Sequence, residues 1–516
     1  MASPFIIGLA IALIIYWLYR NSTDRPKNFP PGPPRLPIWG SYWFILLANY
    51  HFLHIAFIRL CKFYKTKILG FFAGAFPTII IQDHKTIREV LNRREFDGRP
   101  DIIIARLRDP KLELRGIFFT DGAFWHEQRR FALRYFRDFG FGKRSPSLEN
   151  LIRDDISDLI NLLRHGPEER DENTVCRDGL VLMPDLFFAV FMNSFMAVFT
   201  RQHWPRSKHH ELLKVARGAM VFQRAGDDMG RALSQTPWLR HVMPEFSGYN
   251  DLREGNKCLY DFMKKCVQPT IETHQYGIER NFVDIYLNEM ERQQTDLCEE
   301  TLTSSFSVEQ LILVGIDFLL PTITALTAQI SYLFFHIMRQ PDVQEKVQEE
   351  IDREVGVTRS PNLDDRINMP YTEACLREVM RIDTLVPMNI PHKTLADTTL
   401  NGFDIPKNTM VLTNLWGMHH DADIWGDPEV FRPERFLDCK GMLKKKDITL
   451  PFGAGKRLCA GETFARQGLF LMFAGLMQHY TFSPAPGLPR PSANNKLSGF
   501  VLTPKDVWVK YSQRCC

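Results

Sequence analysis

Little in this chain points to nucleic acid or to an oxidising compartment. Across 516 residues the formal charge is only +4, with 64 Lys and Arg against 60 Asp and Glu, too small a surplus to recruit a polyanion. The 10 cysteines lack the paired spacing of a disulfide framework, so a reducing compartment suits them better. There is no internal repeat, and the only biased segment is the short proline cluster Phe29-Pro30-Pro31-Gly32-Pro33-Pro34. What is plentiful is apolar material. Hydrophobic residues make up 45% and charged residues 24%, which supports a sizeable core and argues against disorder.

Residues Pro4 to Tyr19 form one uncharged apolar run, short for a membrane span yet within reach of one. No basic residue precedes it, and no small-x-small cleavage site follows Tyr16-Trp17-Leu18-Tyr19, which argues against a cleaved signal peptide. Arg20, Arg25 and Lys27 come next, and the positive-inside rule keeps the side that follows cytosolic. The expectation is a retained signal-anchor over residues 1–20, a basic and proline-rich linker over 21–38, and one globular domain over 39–516. The stacked prolines cannot continue a helix and read as a semi-rigid strut. On that orientation the sequon Asn21-Ser22-Thr23 is chance, and the terminal Cys515-Cys516 carries little weight as a lipidation signal.

Further along, Lys67–Phe71 and Thr78–Gln82 read as a hairpin of β-branched runs. Trp125 opens a basic helix through Arg129, Arg130, Arg134 and Arg137, with Trp125 and Arg129 on one face. Its exposed cations are either a solvated face or a dock for an acidic partner. Ser147 to Ser304 reads as helices, several of them rich in Phe and Met, and carries no assignable site. Val308 to Arg339 is a long apolar helix interrupted by Pro321, which should free the carbonyl of Asp317 and kink the helix. Thr322, Thr324 and Thr327 either bond helix carbonyls or supply a hydroxyl to a water chain, and both readings stay open. Glu378 and Arg381 share a helical face and can pair. Asn401 to Thr409 and Leu497 to Pro504 read as hairpins. His419-His420 is a poor metal pair, because adjacent histidines on a strand point apart.

The stretch Pro451 to Phe470 carries the chemistry. Cys459 stands between a glycine-rich loop and a helical segment, where the helix dipole and inward loop N–H groups favour a thiolate. Gly453 and Gly455 permit that loop, Gly461 leaves room for something flat, and Arg457 suits a carboxylate on the same flat group. A haem with an axial cysteine and two propionates meets these requirements. A P-loop would need glycine and a hydroxyl where Leu450 and Arg457 stand, and a zinc site would need a second cysteine nearby. Nor do His126-Glu127 begin a zincin motif, since Arg130 replaces the required histidine.

The pattern Phe452-x-x-Gly455-x-Arg457-x-Cys459-x-Gly461 resembles the signature of the cytochrome P-450 haem-thiolate monooxygenases. So do the proline strut, Trp125-x-x-x-Arg129, Glu378-x-x-Arg381, Ile390-Pro391-His392 and Phe431–Phe436 containing Arg435, all in order over residues 30 to 512. The resemblance is to microsomal animal members, insect ones among them. It implies a mainly α fold with small β-sheets around a buried haem b. Cys459 would be the axial ligand to iron, and Phe452 and Gly461 would border the haem. Trp125, Arg129, His392 and Arg457 would meet the propionates. Glu378, Arg381 and Arg435 would be a structural interlock beneath the cysteine loop, and Ser147 to Ser304 would form the substrate lid.

The implied activity is insertion of one atom of dioxygen into a lipophilic small molecule. Electrons would come from NADPH through NADPH–cytochrome P-450 reductase, with cytochrome b5 as a second donor. The anchor would hold membrane lipid, the catalytic domain would face the cytosol from the endoplasmic reticulum, and nucleic acid is no partner. The central helix departs from the family's Ala-Gly-x-Asp/Glu-Thr-Thr stretch, placing Thr324 and Ala325 where an acid and an alcohol relay protons. Thr324 and Thr322 are then the candidate relay. That departure leaves two alternatives: a donor-independent haem-thiolate isomerase or dehydratase of hydroperoxides, and a non-catalytic haem-binding protein.

Overall fold

Helices dominate the computed structural model, which describes residues 4–225, 233–234, 236–296, 304–492 and 495–514. Its middle is one continuous helix of 32 residues, Val308–Arg339. The Ser307 hydroxyl starts it by accepting the Gln310 amide. From Gln310 to Leu319 every side chain is buried, as expected of a helix apolar on all sides. Pro321 does not break it. Instead the helix loosens into a π-turn over Thr322–Leu326, and the Thr322 amide reaches the carbonyls of both Phe318 and Leu319. The expected kink is a local widening, because Pro321 keeps helical angles (φ −63°, ψ −33°) and one looser turn absorbs the missing amide.

A second buried helix, Glu462–His479, follows the cysteine. It lies against Pro146–His165, and a Cβ on Gly475 would stand 3.0 Å from Ile156 Cγ2, so the approach is close.

The hairpin expected near the N-terminus is Ile68–Ala73 with Phe76–Ile81. Thr78 to Ile81 is buried on both faces because Met410–Thr413 pairs with it in parallel on the other side. His392–Lys393 closes that sheet and brings its histidine toward the cysteine loop. Thr398–Leu400 and Phe403–Ile405 form the hairpin read at Asn401-Gly402, whose φ values of 49° and 84° suit the tight turn. Lys496–Leu497 pairs with Thr503–Pro504 in the last hairpin. Ser147 to Ser304 is not all helix. It holds the strands Cys176–Arg177 and Leu180–Met183, the second paired with Val507–Gln513 near the other end of the chain. His419-His420 also differs from expectation: His419 ends the short helix Leu415–His419 and His420 caps it.

The apolar N-terminal run is a helix, Pro4–Thr23, with exposed apolar side chains such as Ile15 and Trp17. The proline segment beyond it is seated on the body rather than standing free. Arg25 donates to the carbonyls of Gly32, Pro33, Pro30 and Gly70, and the Gly70 amide donates to Pro31 at 2.9 Å. Cys515-Cys516 lies outside the described residues.

A Cβ on Gly32 would sit 2.0 Å from the Gly70 carbonyl oxygen. Gly32→Ala should therefore unseat the strut at a cost of about 1–3 kcal/mol. Faster proteolytic cleavage between Pro26 and Pro37, with a lower unfolding temperature, is the expected result.

Candidate active site

Between the central helix and the loop before Glu462 lies a cavity with about 330 Å³ of water-accessible space. One wall carries Thr322, Thr324 and Ala325, and the other carries Phe452, Cys459 and Gly461. The loop is shaped by its glycines. Gly455 has φ +69°, and a Cβ there would meet the Leu91 carbonyl oxygen at 1.9 Å. The loop closes on itself, with the Gly453 amide donating to Leu450 at 3.0 Å and the Cys459 amide donating to Phe452 at 3.0 Å.

Cys459 is exposed, but to the cavity: dense protein lies behind it. Burial pushes its thiol above the ordinary value and Glu462 adds to the rise, against the opposing pull of the Gly461 N–H and Arg129. The expected stabilisation of a thiolate by loop donors is thus present but outweighed. A bound metal would reverse this balance, because coordination deprotonates a thiol outright. A Cβ on Gly461 would touch only Cys459 Sγ, at 4.0 Å, so protein packing does not demand glycine there.

At one end of the cavity three guanidiniums crowd together. Arg457 lies 3.5 Å from the Trp125 ring centroid and donates from Nε to the Asp97 carbonyl at 3.0 Å. Both its Nη atoms, and the Trp125 indole N–H, are buried with no partner among the described residues. Arg129 bonds the Leu458 carbonyl, and Arg99 bonds those of Phe118, Ile390 and Pro391. Burial, then repulsion from Arg129, lowers Arg457 to about 10. Burial, then Arg457 and Arg129, pushes Arg99 well below its usual range. Orphaned buried donors beside excess positive charge call for anionic oxygens, and two propionates fit that demand.

Arg99 was not foreseen, and nothing in Gly98-Arg99-Pro100 distinguishes it from a loop cation. His392 was foreseen as a donor to a propionate, but here its Nδ1 donates to the Phe96 carbonyl at 2.7 Å. Burial, then Arg99 and Arg457, holds the ring neutral, so its Nε2 carries no proton to give until a carboxylate offsets those cations.

Beneath the loop, Glu378 and Arg381 are fully buried. The carboxylate accepts from Arg381 Nε and Nη2 at 2.8 and 2.7 Å, from Arg435 Nε at 3.0 Å and from the Arg432 amide at 3.0 Å. Arg381 Nη1 donates onward to the His419 carbonyl at 2.7 Å, and His419 Nε2 accepts the Leu450 amide at 3.1 Å. The interlock therefore reaches the cysteine loop through His419, a link the sequence reading missed. Thr384 Oγ1 donates to the Arg381 carbonyl, so it accepts a hydrogen bond from the Nδ1–H of His419.

In the π-turn the Thr322 hydroxyl donates to the Phe318 carbonyl at 2.8 Å and that of Thr324 to Leu320 at 2.9 Å. Both residues line the cavity, with the hydroxyl protons committed to the helix and the lone pairs left over.

A cysteine on the wall of an apolar cavity, with a rim of crowded cations and unpartnered donors that two carboxylates would satisfy, fits a haem-thiolate protein. Residues 30–511 match the sequence model of the cytochrome P450 family, to which this chain belongs. It is 30% identical over 508 residues to a farnesoate epoxidase of Bombyx mori, covering 98% of each chain. It is 31% identical over 544 residues to cytochrome P450 2U1 of Homo sapiens, covering 98% of this chain and 93% of that one. A probable cytochrome P450 305a1 of Drosophila melanogaster shares 31% over 522 residues, 99% of each. The protein is a cytochrome P450 monooxygenase, with haem iron and an axial cysteine thiolate.

Burial holds His419 at about 3, with Arg381 adding to the drop. A histidine whose folded pKa is depressed binds its proton more readily when unfolded, so its contribution is present above about 6.5 and lost as pH falls toward 3. Denaturant unfolding at pH 7 and pH 5 should show lower stability at pH 5. His419→Gln should reduce that difference, and an unchanged difference would remove His419 from the account.

Proposed function

We propose that this monooxygenase inserts one oxygen atom into a lipophilic small molecule, with Cys459 as the axial ligand and electrons passed from NADPH by a membrane-bound flavoprotein reductase. The observation that carries this reading is the cavity itself: Cys459 on one wall, unmated donors at one end, and apolar side chains over the rest. Arg457, Arg129, Arg99 and Trp125 would hold the propionates, and Phe452 and Gly461 would border the ring. When bound, haem supplies the dioxygen chemistry, with the thiolate favouring O–O cleavage.

The chain's own residues do the rest. The Glu378–Arg381–His419 link holds the cysteine loop, and the apolar walls keep bulk water out. Thr324 and Thr322 serve the proton relay by holding its water: each Oγ, its own proton bonded to a helix carbonyl, accepts a hydrogen bond from a cavity water and orients that water as the proton donor. Exposed Arg130, Arg134, Arg137 and Lys456 supply a positive face beside the cysteine loop for an acidic donor, the reductase or cytochrome b5. The N-terminal helix would anchor the protein in the endoplasmic reticulum with the domain on the cytosolic side. Exposed Trp43, Leu47, Phe63, Trp238, Val242 and Phe246 offer further apolar surface to the bilayer.

Reconstitution with NADPH, a flavoprotein reductase and a panel of lipophilic substrates should give reductase-dependent product. Turnover of a fatty-acid hydroperoxide without any donor would overturn the electron route and favour isomerase or dehydratase chemistry, which the missing acid–alcohol pair at Thr324/Ala325 would then explain. Thr322→Val with Thr324→Val should lower product formed per NADPH about 100-fold if these hydroxyls hold the proton-donating water. No change would assign the relay elsewhere.

A further inference from the structure

Away from the cation rim, the cavity wall holds a buried ion pair that the reading above does not use. Arg108 and Asp317 both line the cavity, and both side chains are 3% exposed. Arg108 Nη2 donates to Asp317 Oδ1. Asp317 Oδ2 accepts the amides of Ile117 at 2.6 Å and Phe118 at 3.1 Å. Gly116 makes this possible, since a Cβ there would stand 2.3 Å from Asp317 Oδ2. The carboxylate therefore has donors on both oxygens. The guanidinium does not have acceptors for all its N–H groups: Nη1 is buried with no partner among the described residues. Around the pair the wall is apolar, with Ile117, Phe119, Leu320 and Phe500.

A buried donor left unpaired costs about 1–3 kcal/mol, more when charged, so the wall is incomplete without an oxygen at Nη1. Charge decides which oxygen. Arg108 and Asp317 already sum to zero, and a second carboxylate would leave a net anion among apolar side chains. An ester, ketone, ether or alcohol oxygen completes the hydrogen bond without that charge. Position decides the rest. Asp317 lies two helical turns before Ala325, about 12 Å along the axis at 1.5 Å per residue. The ligand must be elongated, with its oxygen remote from the end that reaches the cysteine side.

We propose that Arg108 is a substrate-recognition residue for an elongated lipophilic molecule bearing an uncharged oxygen acceptor. This rests on the cavity being the substrate cavity of a haem-thiolate enzyme, and the test separates the two. The full-length, haem-loaded protein is titrated with methyl decanoate, decanoate and undecane while the Soret band is followed. Wild type should bind the ester at least about tenfold more tightly than the acid or the hydrocarbon, as one charge-assisted hydrogen bond predicts. Arg108→Met with Asp317→Asn removes both charges together and should make ester and hydrocarbon equal. Arg108→Lys, which keeps a cation for Asp317 on a shorter, single-headed group, should lose most of the preference and guards against misfolding of the double variant. Equal binding of ester and hydrocarbon by wild type, an ester preference that survives both variants, or no shift with any probe overturns the proposal. Tighter binding of decanoate that depends on Arg108 overturns the uncharged acceptor. A protein that takes up no haem at all fails the earlier reading instead.

Discussion

Positive charge gathered at one end of a buried cavity, without enough carboxylate to match it, is the constraint from which the rest follows. Arg129 depresses both Arg457 and Arg99, Arg457 depresses Arg99 further, and Arg457 and Trp125 keep donors that nothing among the described residues answers. A folded protein does not leave such groups unpaired without cause, because each costs free energy comparable to the stability gained from several good contacts. A flat cofactor with two carboxylates would meet that demand, with Cys459 on the same cavity to hold its metal. The loop that presents the sulfur is in turn held from below, where Glu378, shared by two arginines, connects through His419 to the Leu450 amide.

The central helix shows how the same scaffold tolerates a changed sequence. Pro321 removes an amide, and the helix answers with a π-turn instead of a break. The widened turn places Thr322 and Thr324 at the cavity, each bonded to its own helix. Bonding a helix carbonyl leaves these hydroxyls able to accept a hydrogen bond from the cavity side. One lone pair can face the cavity while the proton serves a carbonyl.

Local chemistry makes part of this legible in the sequence. Phe452 to Gly461 and the Glu378–Arg381 pair lie within single turns or loops, so their spacing already encodes their geometry. The hairpins at Ile68–Ile81 and Asn401-Gly402 were legible for the same reason: β-branched runs and two positive-φ residues act locally. What escaped lies in contacts between distant segments. Arg99 matters only because Arg457 and Arg129 surround it, and His419 only because Leu450 and Arg381 meet there. The strands at Cys176–Met183 depend on a partner from the far end of the chain. The strut was legible as stiff, but its seating on Gly70 through Arg25 was not, since composition says nothing about what a proline segment rests on.

The measurement that bears most directly on the whole account is the carbon monoxide difference spectrum of the reduced protein, repeated on Cys459→Ser. A thiolate ligand should give a red-shifted Soret band in the wild type and none in the variant. A band unchanged by the substitution, or a purified protein without porphyrin, would contradict Cys459 as the iron ligand and remove the chemical reading with it.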